Sequence, residues 1–213
     1  MSGALDWYFD VISPFAYLQW VRLRRDHPEV LLRPRPVLFG ALLQHHGQLG
    51  PAEIPGKRAF TYRFVAWEAR RLGIELRFPP AHPFNPVTAL RLILAAADTV
   101  AATDAVFAHI WRDGRAADSA ASLREVAGRL GITDVEAAVA REEIKLALRT
   151  NTEEAIARGV FGVPTLRVGQ ALFWGNDATG MALDYLADPE AFAHEFDAVA
   201  ALPVGIERRK SAA

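Results

Sequence analysis

The chain reads as an α/β protein, a small sheet interrupted by a large all-helical insertion, and three observations carry that reading. Strand-like runs lie toward both ends, at Leu5 to Val11 and at Val163 to Trp174. Nearly all of the sequence from about residue 40 to 158 has helical character. A Ser13-Pro14 pair turns the first strand directly into a helix.

The order of elements follows from local chemistry. Leu5 to Val11 has the aromatic and β-branched content of a buried strand. Ser13 is a preferred N-cap and Pro14 suits a first helical position, where its missing N–H is not needed, so a helix is expected to about Arg25. Val30 to Leu38 is expected as an exposed or edge strand, because Arg33 and Arg35 alternate with prolines. Gly40, Gly47, Gly50, Pro51, Pro55 and Gly56 predict an irregular excursion from Phe39 to Lys57.

From Arg58 to Arg71 the apolar spacing is helical and Gly73 is placed to end the helix. Phe60, Phe64 and Trp67 are expected in the core or in a subunit contact. Phe78 to Pro86 is too rich in proline for a helix, and helix resumes from Val87 through Trp111, Leu123 to Leu130 and Asp134 to Arg158. Val163 to Val168, a Gly169-Gln170 turn and Ala171 to Trp174 form a β-hairpin, followed by helix from about Asp177. The expected division is a discontinuous sheet unit at 1–39 and 159–203, the insertion at 40–158 and a solvated tail at 204–213, frayed from Glu207 onward.

Composition narrows the function. Twenty-four Lys and Arg balance 25 Asp and Glu in the 213 residues, so there is no global field to attract nucleic acid or an anionic membrane. The chain has no cysteine, which excludes a disulfide framework, a thiolate metal site and a dithiol redox motif of its own. His45-His46 has no ligand at metal-binding spacing, and no metal is expected. The first residues lack a basic segment followed by an apolar one, so a cytoplasmic location is expected. Leu90 to Trp111 carries Arg91, Asp98, Asp104 and His109, and therefore reads as soluble helix.

Three places can carry chemistry. Ser13-Pro14 sets a hydroxyl and a helix N-terminus at the end of a strand, where α/β sheets bind ligands, though alone it is also an ordinary cap. Gly162-Val163-Pro164-Thr165 puts a proline at the entrance of a strand, and Trp174-Gly175-Asn176-Asp177 leaves the hairpin for a helix.

In combination, Tyr8-Phe-Asp-Val-Ile-Ser-Pro-Phe-Ala-Tyr-Leu18, Gly47 to Lys57, Phe78-Pro-Pro-Ala-His-Pro-Phe-Asn85, Ala157-Arg-Gly-Val-Phe-Gly-Val-Pro-Thr165 and Phe173-Trp-Gly-Asn-Asp177 resemble the 2-hydroxychromene-2-carboxylate isomerases. They also resemble the related kappa-class glutathione transferases, on the thioredoxin-like fold of the bacterial disulfide oxidoreductases. The resemblance spans about residues 5 to 187, with serine at the position of the reactive cysteine.

The resemblance implies a glutathione-dependent, homodimeric enzyme acting on a small aromatic substrate. Ser13 is then the catalytic residue, stabilising the glutathione thiolate. Val163 offers its backbone to the cysteinyl part across a cis Val163-Pro164 bond, and Trp174, Gly175, Asn176 and Asp177 hold the γ-glutamyl end. Glu53, Ile54, Lys57, Phe84 and Asn85 fall at second-substrate positions. A lysine expected upstream of the Gly47 to Lys57 loop is Leu43 here, which weakens the case for an anionic hydroxychromene unless Lys57 replaces it. Two alternatives stay open: a kappa-like transferase that consumes glutathione, and a non-catalytic thioredoxin-like binding module.

Overall fold

The structure, a computed structural model, describes residues 5–203 and Gly205; the tail expected from Glu207 lies outside the described residues. Strand β1 (Leu5–Phe9) is buried along its whole length. Its odd positions face one side of the sheet and Tyr8 the other. Trp7 stacks on Phe9 at 4.4 Å and on Trp20 at 4.8 Å, and Phe107 closes the group at 6.0 Å from Trp7. Truncating such a fully buried ring to alanine costs about 3–5 kcal/mol.

Helix α1 (Pro14–Asp26) begins where the Ser-Pro pair sets it, with Ser13 as N-cap. It lays Ala16, Leu18, Trp20 and Leu23 into the core and ends with Arg24 and Arg25, which complement the helix dipole. Strand β2 (Leu32–Pro36) runs parallel to β1 from the edge of the sheet, where its prolines leave no ladder bond missing on the outer side. Strands β3 (Thr165–Val168) and β4 (Ala171–Trp174) complete the order β2-β1-β3-β4, each antiparallel to its predecessor in that order. Their hairpin turns on Gly169 at φ +59°.

Between β2 and β3 lie only helices among the described residues: α2 (Phe39–His46), α3 (Pro55–Leu72), α4 (Val87–Ala95), α5 (Thr99–Phe107), α6 (Ala120–Arg129), α7 (Val135–Ala140) and α8 (Glu142–Ala157). A 3-10 turn at Pro51–Glu53 and a π turn at Ala108–Arg112 join them. Helices α9 (Thr179–Ala187) and α10 (Glu190–Ala200) follow β4. The main core runs without a break from the β1 rings into Leu90, Ile93, Val106, Phe107 and Leu123, so the insertion packs onto the sheet rather than around a separate core. A smaller cluster of Tyr8, Val37, Leu42, Ala155, Val160 and Val163 covers the other face.

Several expectations change. The segment Phe39 to Lys57 is not irregular throughout, because α2 occupies its first half. Gly40 falls in the first turn of α2, where its weak propensity matters little, and Gly47 is the left-handed C-cap at φ +62°. The long helical stretches are divided: Asp98 caps α5 through the N–H groups of Val100 and Ala101, and Arg141, at ψ 135°, separates α7 from α8. Of the two places expected for Phe60, Phe64 and Trp67, the core is ruled out, since they are 67%, 39% and 53% exposed on α3, and the subunit contact stands as an expectation. Of the 18 residues of α3, only Val65, Glu68 and Ala69 are buried.

Candidate active site

The register places three segments at one end of the sheet. β1 runs out at Phe9 toward Ser13, Tyr8 pairs with Thr165 just after Val163-Pro164, and Thr165 pairs with Trp174 just before Gly175. Ser13, the Val163-Pro164 edge and the Trp174 to Asp177 loop are therefore neighbours by strand pairing. This is the C-terminal end of the parallel pair, where open sheets bind ligands.

The turn that carries Ser13 is held at almost every backbone atom. Asp10, with no exposed surface, accepts the Ile12 N–H on Oδ1 at 3.0 Å and the Phe39 N–H on Oδ2 at 2.9 Å, tying the turn to the start of α2. Ser13 N–H donates to the Asp10 carbonyl at 3.0 Å. Trp111, presented by the π turn, donates from Nε1 to the Val11 carbonyl at 2.8 Å, and His82 reaches the Ile12 carbonyl with Nε2 at 2.8 Å. Burial pushes the Asp10 carboxyl up to about 7 against the opposing pull of its two N–H donors. Burial also lowers His82 below the usual imidazole range.

Ser13 itself is an N-cap whose Oγ accepts the Ala16 N–H at 3.2 Å. A hydroxyl carries one hydrogen and two lone pairs, so this bond leaves the O–H free to donate. Among the described residues that hydrogen has no acceptor, the Phe15 N–H of the first helical turn is likewise unpaired, and no basic side chain is hydrogen-bonded to Oγ. Two donors at a helix N-terminus suit an anion.

Across the sheet end the Val163–Pro164 bond is cis, as the resemblance implies. Thr165 Oγ1 donates to the Gly162 carbonyl at 2.8 Å and Gly175 N–H to the Pro164 carbonyl at 2.9 Å. Neither the N–H nor the C=O of Val163 has a partner among the described residues. These are the two groups that one more strand would pair with. The Trp174 indole lies over Gly162, where a Cβ would come within 2.5 Å of Nε1, and meets Phe161 edge-on at 5.2 Å.

The next loop turns on Gly175 at φ +99°. Gln19 fastens it to α1, donating to the Gly175 carbonyl and to Thr179 Oγ1 at 2.9 Å each while accepting the Trp7 indole N–H at 2.7 Å. Asn176 is buried against Glu68 of α3, which Arg71 grips with two bonds and holds below the usual carboxylate range. Its Oδ1 is buried with no partner among the described residues. Asp177 is exposed at the rim.

The second-substrate positions are dispersed. Glu53 turns its carboxylate back onto the Gly50 N–H, Ile54 starts α3 without a side-chain cap, and Lys57 is exposed in the first turn of α3 with no ion pair among the described residues. None of the three is hydrogen-bonded to the Ser13 turn. Phe84 lies 6.2 Å from the His82 ring and lines a hollow of about 30 Å³, too small for an aromatic acid. Asn85 Oδ1 accepts the Val87 N–H at 3.1 Å and so opens α4.

Residues 4–187 match the family model of the DSBA-like thioredoxin domain. A glutathione S-transferase kappa 2 of Caenorhabditis elegans is 29% identical over 85% of this chain and 91% of its own length. A 2-hydroxychromene-2-carboxylate isomerase of Pseudomonas sp. (strain C18) is 30% identical over 81% of this chain and 85% of its own. A solved 2-hydroxychromene-2-carboxylate isomerase superposes with a TM-score of 0.78 at 24% identity, covering 92% of this chain and 99% of the other. The fold is therefore the thioredoxin-like α/β fold with a helical insertion. Among the described residues no group of three or more His, Asp or Glu side chains could hold a metal, and no helix is long and apolar enough to cross a membrane. The chain therefore belongs to the DSBA-like thioredoxin family, and its relatives there include 2-hydroxychromene-2-carboxylate isomerases and a kappa-class glutathione transferase.

Proposed function

We propose that the protein is a glutathione-dependent isomerase of an unsaturated aromatic oxo acid, of the type that interconverts 2-hydroxychromene-2-carboxylate and trans-o-hydroxybenzylidenepyruvate. Bound glutathione supplies a thiolate that adds reversibly to the conjugated substrate, permits ring opening or bond rotation, and leaves unchanged. The residues present fit such a tripeptide: a free hydroxyl and a helix N-terminus for a sulfur anion, an unpaired N–H and C=O on Val163 for a peptide edge, and a Gly175 to Asp177 loop for a charged amino-acid end.

One observation carries this reading: the Ser13 Oγ accepts from Ala16, keeps its own hydrogen and has no base hydrogen-bonded to it. Ser13 therefore acts as a donor to an anion rather than as a nucleophile. An ordinary thiol has a pKa of about 8.5, and lowering it by two units takes about 2.7 kcal/mol. A charge-assisted bond from Ser13, about 1.5–3 kcal/mol, together with the helix terminus, about 0.3–1 kcal/mol, covers that. Val163 aligns the peptide, and Asp177 is the pairing partner for its ammonium group.

Calorimetry tests binding: heat and a thermal shift are expected with millimolar glutathione, and neither would leave only a binding module that has lost its thiol chemistry. A second reading, a transferase that conjugates glutathione to an electrophile, is favoured by Leu43 at the place of an expected cation and by the kappa-class relative. Turnover of the oxo acid without loss of glutathione supports the isomerase; net glutathione consumption with a halogenated aromatic supports the transferase. The proposal also places the enzyme in the cytoplasm as a homodimer; sedimentation of the pure protein checks the dimer.

A further inference from the structure

His82 is tied on both ring nitrogens. Nε2 lies 2.8 Å from the Ile12 carbonyl, which can only accept, so Nε2 carries a hydrogen. Nδ1 lies 2.7 Å from the Tyr62 hydroxyl, and the same hydroxyl lies 2.8 Å from the carbonyl of His82 itself. These three close contacts need three hydrogens. A neutral imidazole and a phenol provide two: if Tyr62 donates to Nδ1, its oxygen faces a carbonyl oxygen with nothing between them. The imidazolium provides the third, with Nδ1–H donating to Tyr62, Tyr62 donating to the His82 carbonyl, and Nε2–H donating to Ile12.

Opposing this, the ring is half-buried among aromatic side chains. Trp111 meets the ring edge-on at 5.4 Å, with Tyr62 at 5.3 Å and Phe84 at 6.2 Å. No carboxylate contacts the ring among the described residues. Asp10 lies on the far side of Ile12, holding its N–H, and Arg58 is the charged neighbour of Tyr62. The hydrogen-bond geometry thus favours the cation and burial favours the neutral ring, which leaves His82 poised for a nearby anion to decide.

We propose that His82 is the positioning residue for Ser13 and that it becomes the imidazolium when the Ser13 site holds a thiolate. The inference rests on the glutathione reading. The Ile12 carbonyl that His82 grips belongs to the peptide whose nitrogen is that of Ser13, so the ring charge sits one peptide unit from the anion site. The proton balance closes: the thiol loses one proton on binding, His82 gains one, and the buffer exchanges none.

The experiment is calorimetry of glutathione binding at about pH 7.5 in buffers of different ionisation enthalpy, which reads the protons released. Wild type releases close to none, whereas His82→Gln, which can still donate to Ile12 but cannot be charged, releases about one proton per site. Tyr62→Phe, which removes the hydroxyl and leaves the ring, moves release from near none toward about one. In NMR the His82 ring titrates at higher pH with glutathione than without it, and does not shift with S-methylglutathione, which has no thiol to ionise. Equal release in wild type and His82→Gln overturns the proposal. Should His82→Gln fail to fold, wild-type release in Tyr62→Phe overturns it. Absence of any binding heat in wild type would instead overturn the glutathione reading.

Discussion

Around Ser13 the chain leaves almost no backbone group to itself, whereas across the sheet end Val163 leaves both of its own open. On the first side Asp10, from within the turn, and His82 and Trp111, from two distant parts of the chain, hold the three consecutive residues Val11 to Ser13. On the second, Gly162, Pro164 and Thr165 are tied and Val163 between them is not. The difference matches what the proposed function asks of each side. A hydroxyl that must point at one atom needs a backbone that cannot rotate, while a backbone that must bind a peptide needs unpaired groups on a firm frame.

The largest expected effect comes from removing what the rigid side aims. Ser13→Ala lowers kcat/KM roughly 10- to 150-fold, from the loss of one charge-assisted bond, while glutathione Kd changes much less. Steady-state kinetics alongside calorimetry separates the two, and unchanged turnover contradicts the role.

Next comes the clamp. Because the folded pKa of Asp10 is raised to about 7 from 3.8, the native state holds more protons than the unfolded chain between those values. Stability from this group is therefore complete at low pH and declines as pH rises toward 7. Asp10→Asn abolishes that slope, so that unfolding in urea at about pH 4.5 and 7.5 shows wild type losing about 1–3 kcal/mol more than the variant over the interval. Parallel pH profiles would show that Asp10 titrates normally.

On the open side, Gly162→Ala drives the Trp174 indole off its seat while leaving stability within about 0.5 kcal/mol, because the ring is exposed and can swing away. Glutathione Kd then rises roughly three- to tenfold by titration. The smallest effect belongs to Lys57→Ala, which leaves the melting temperature within about 2 °C and raises KM for an anionic aromatic acid no more than a few-fold. A larger rise would assign Lys57 to the substrate after all.

What the residues announced and what they concealed divides along the same line. The Ser13 cap, the edge strand with its prolines and the Gly169 hairpin are local events, readable from two or three neighbouring side chains. The clamp is not local: His82 and Trp111 act on carbonyls 70 and 100 positions away, and a carbonyl acceptor leaves no mark on residue type. Glu68 and Gln19 carry no local mark for the same reason, as one sits at a helix position and the other joins three elements. Phe60, Phe64 and Trp67 show a different limit. Their spacing states that they share a face of α3, and nothing in a period of 3.6 states whether that face looks inward.

The indole of Trp174 stands exposed over Gly162, while Trp7, Trp20 and Trp111 are sealed in the interior and Trp67 lies out on α3. The chain therefore carries a native optical reporter at the rim of the proposed ligand cradle. With Trp67 replaced by phenylalanine, collisional quenching of the emission by acrylamide reads Trp174 alone, and its fading accessibility tracks occupancy without a label or a chromogenic substrate.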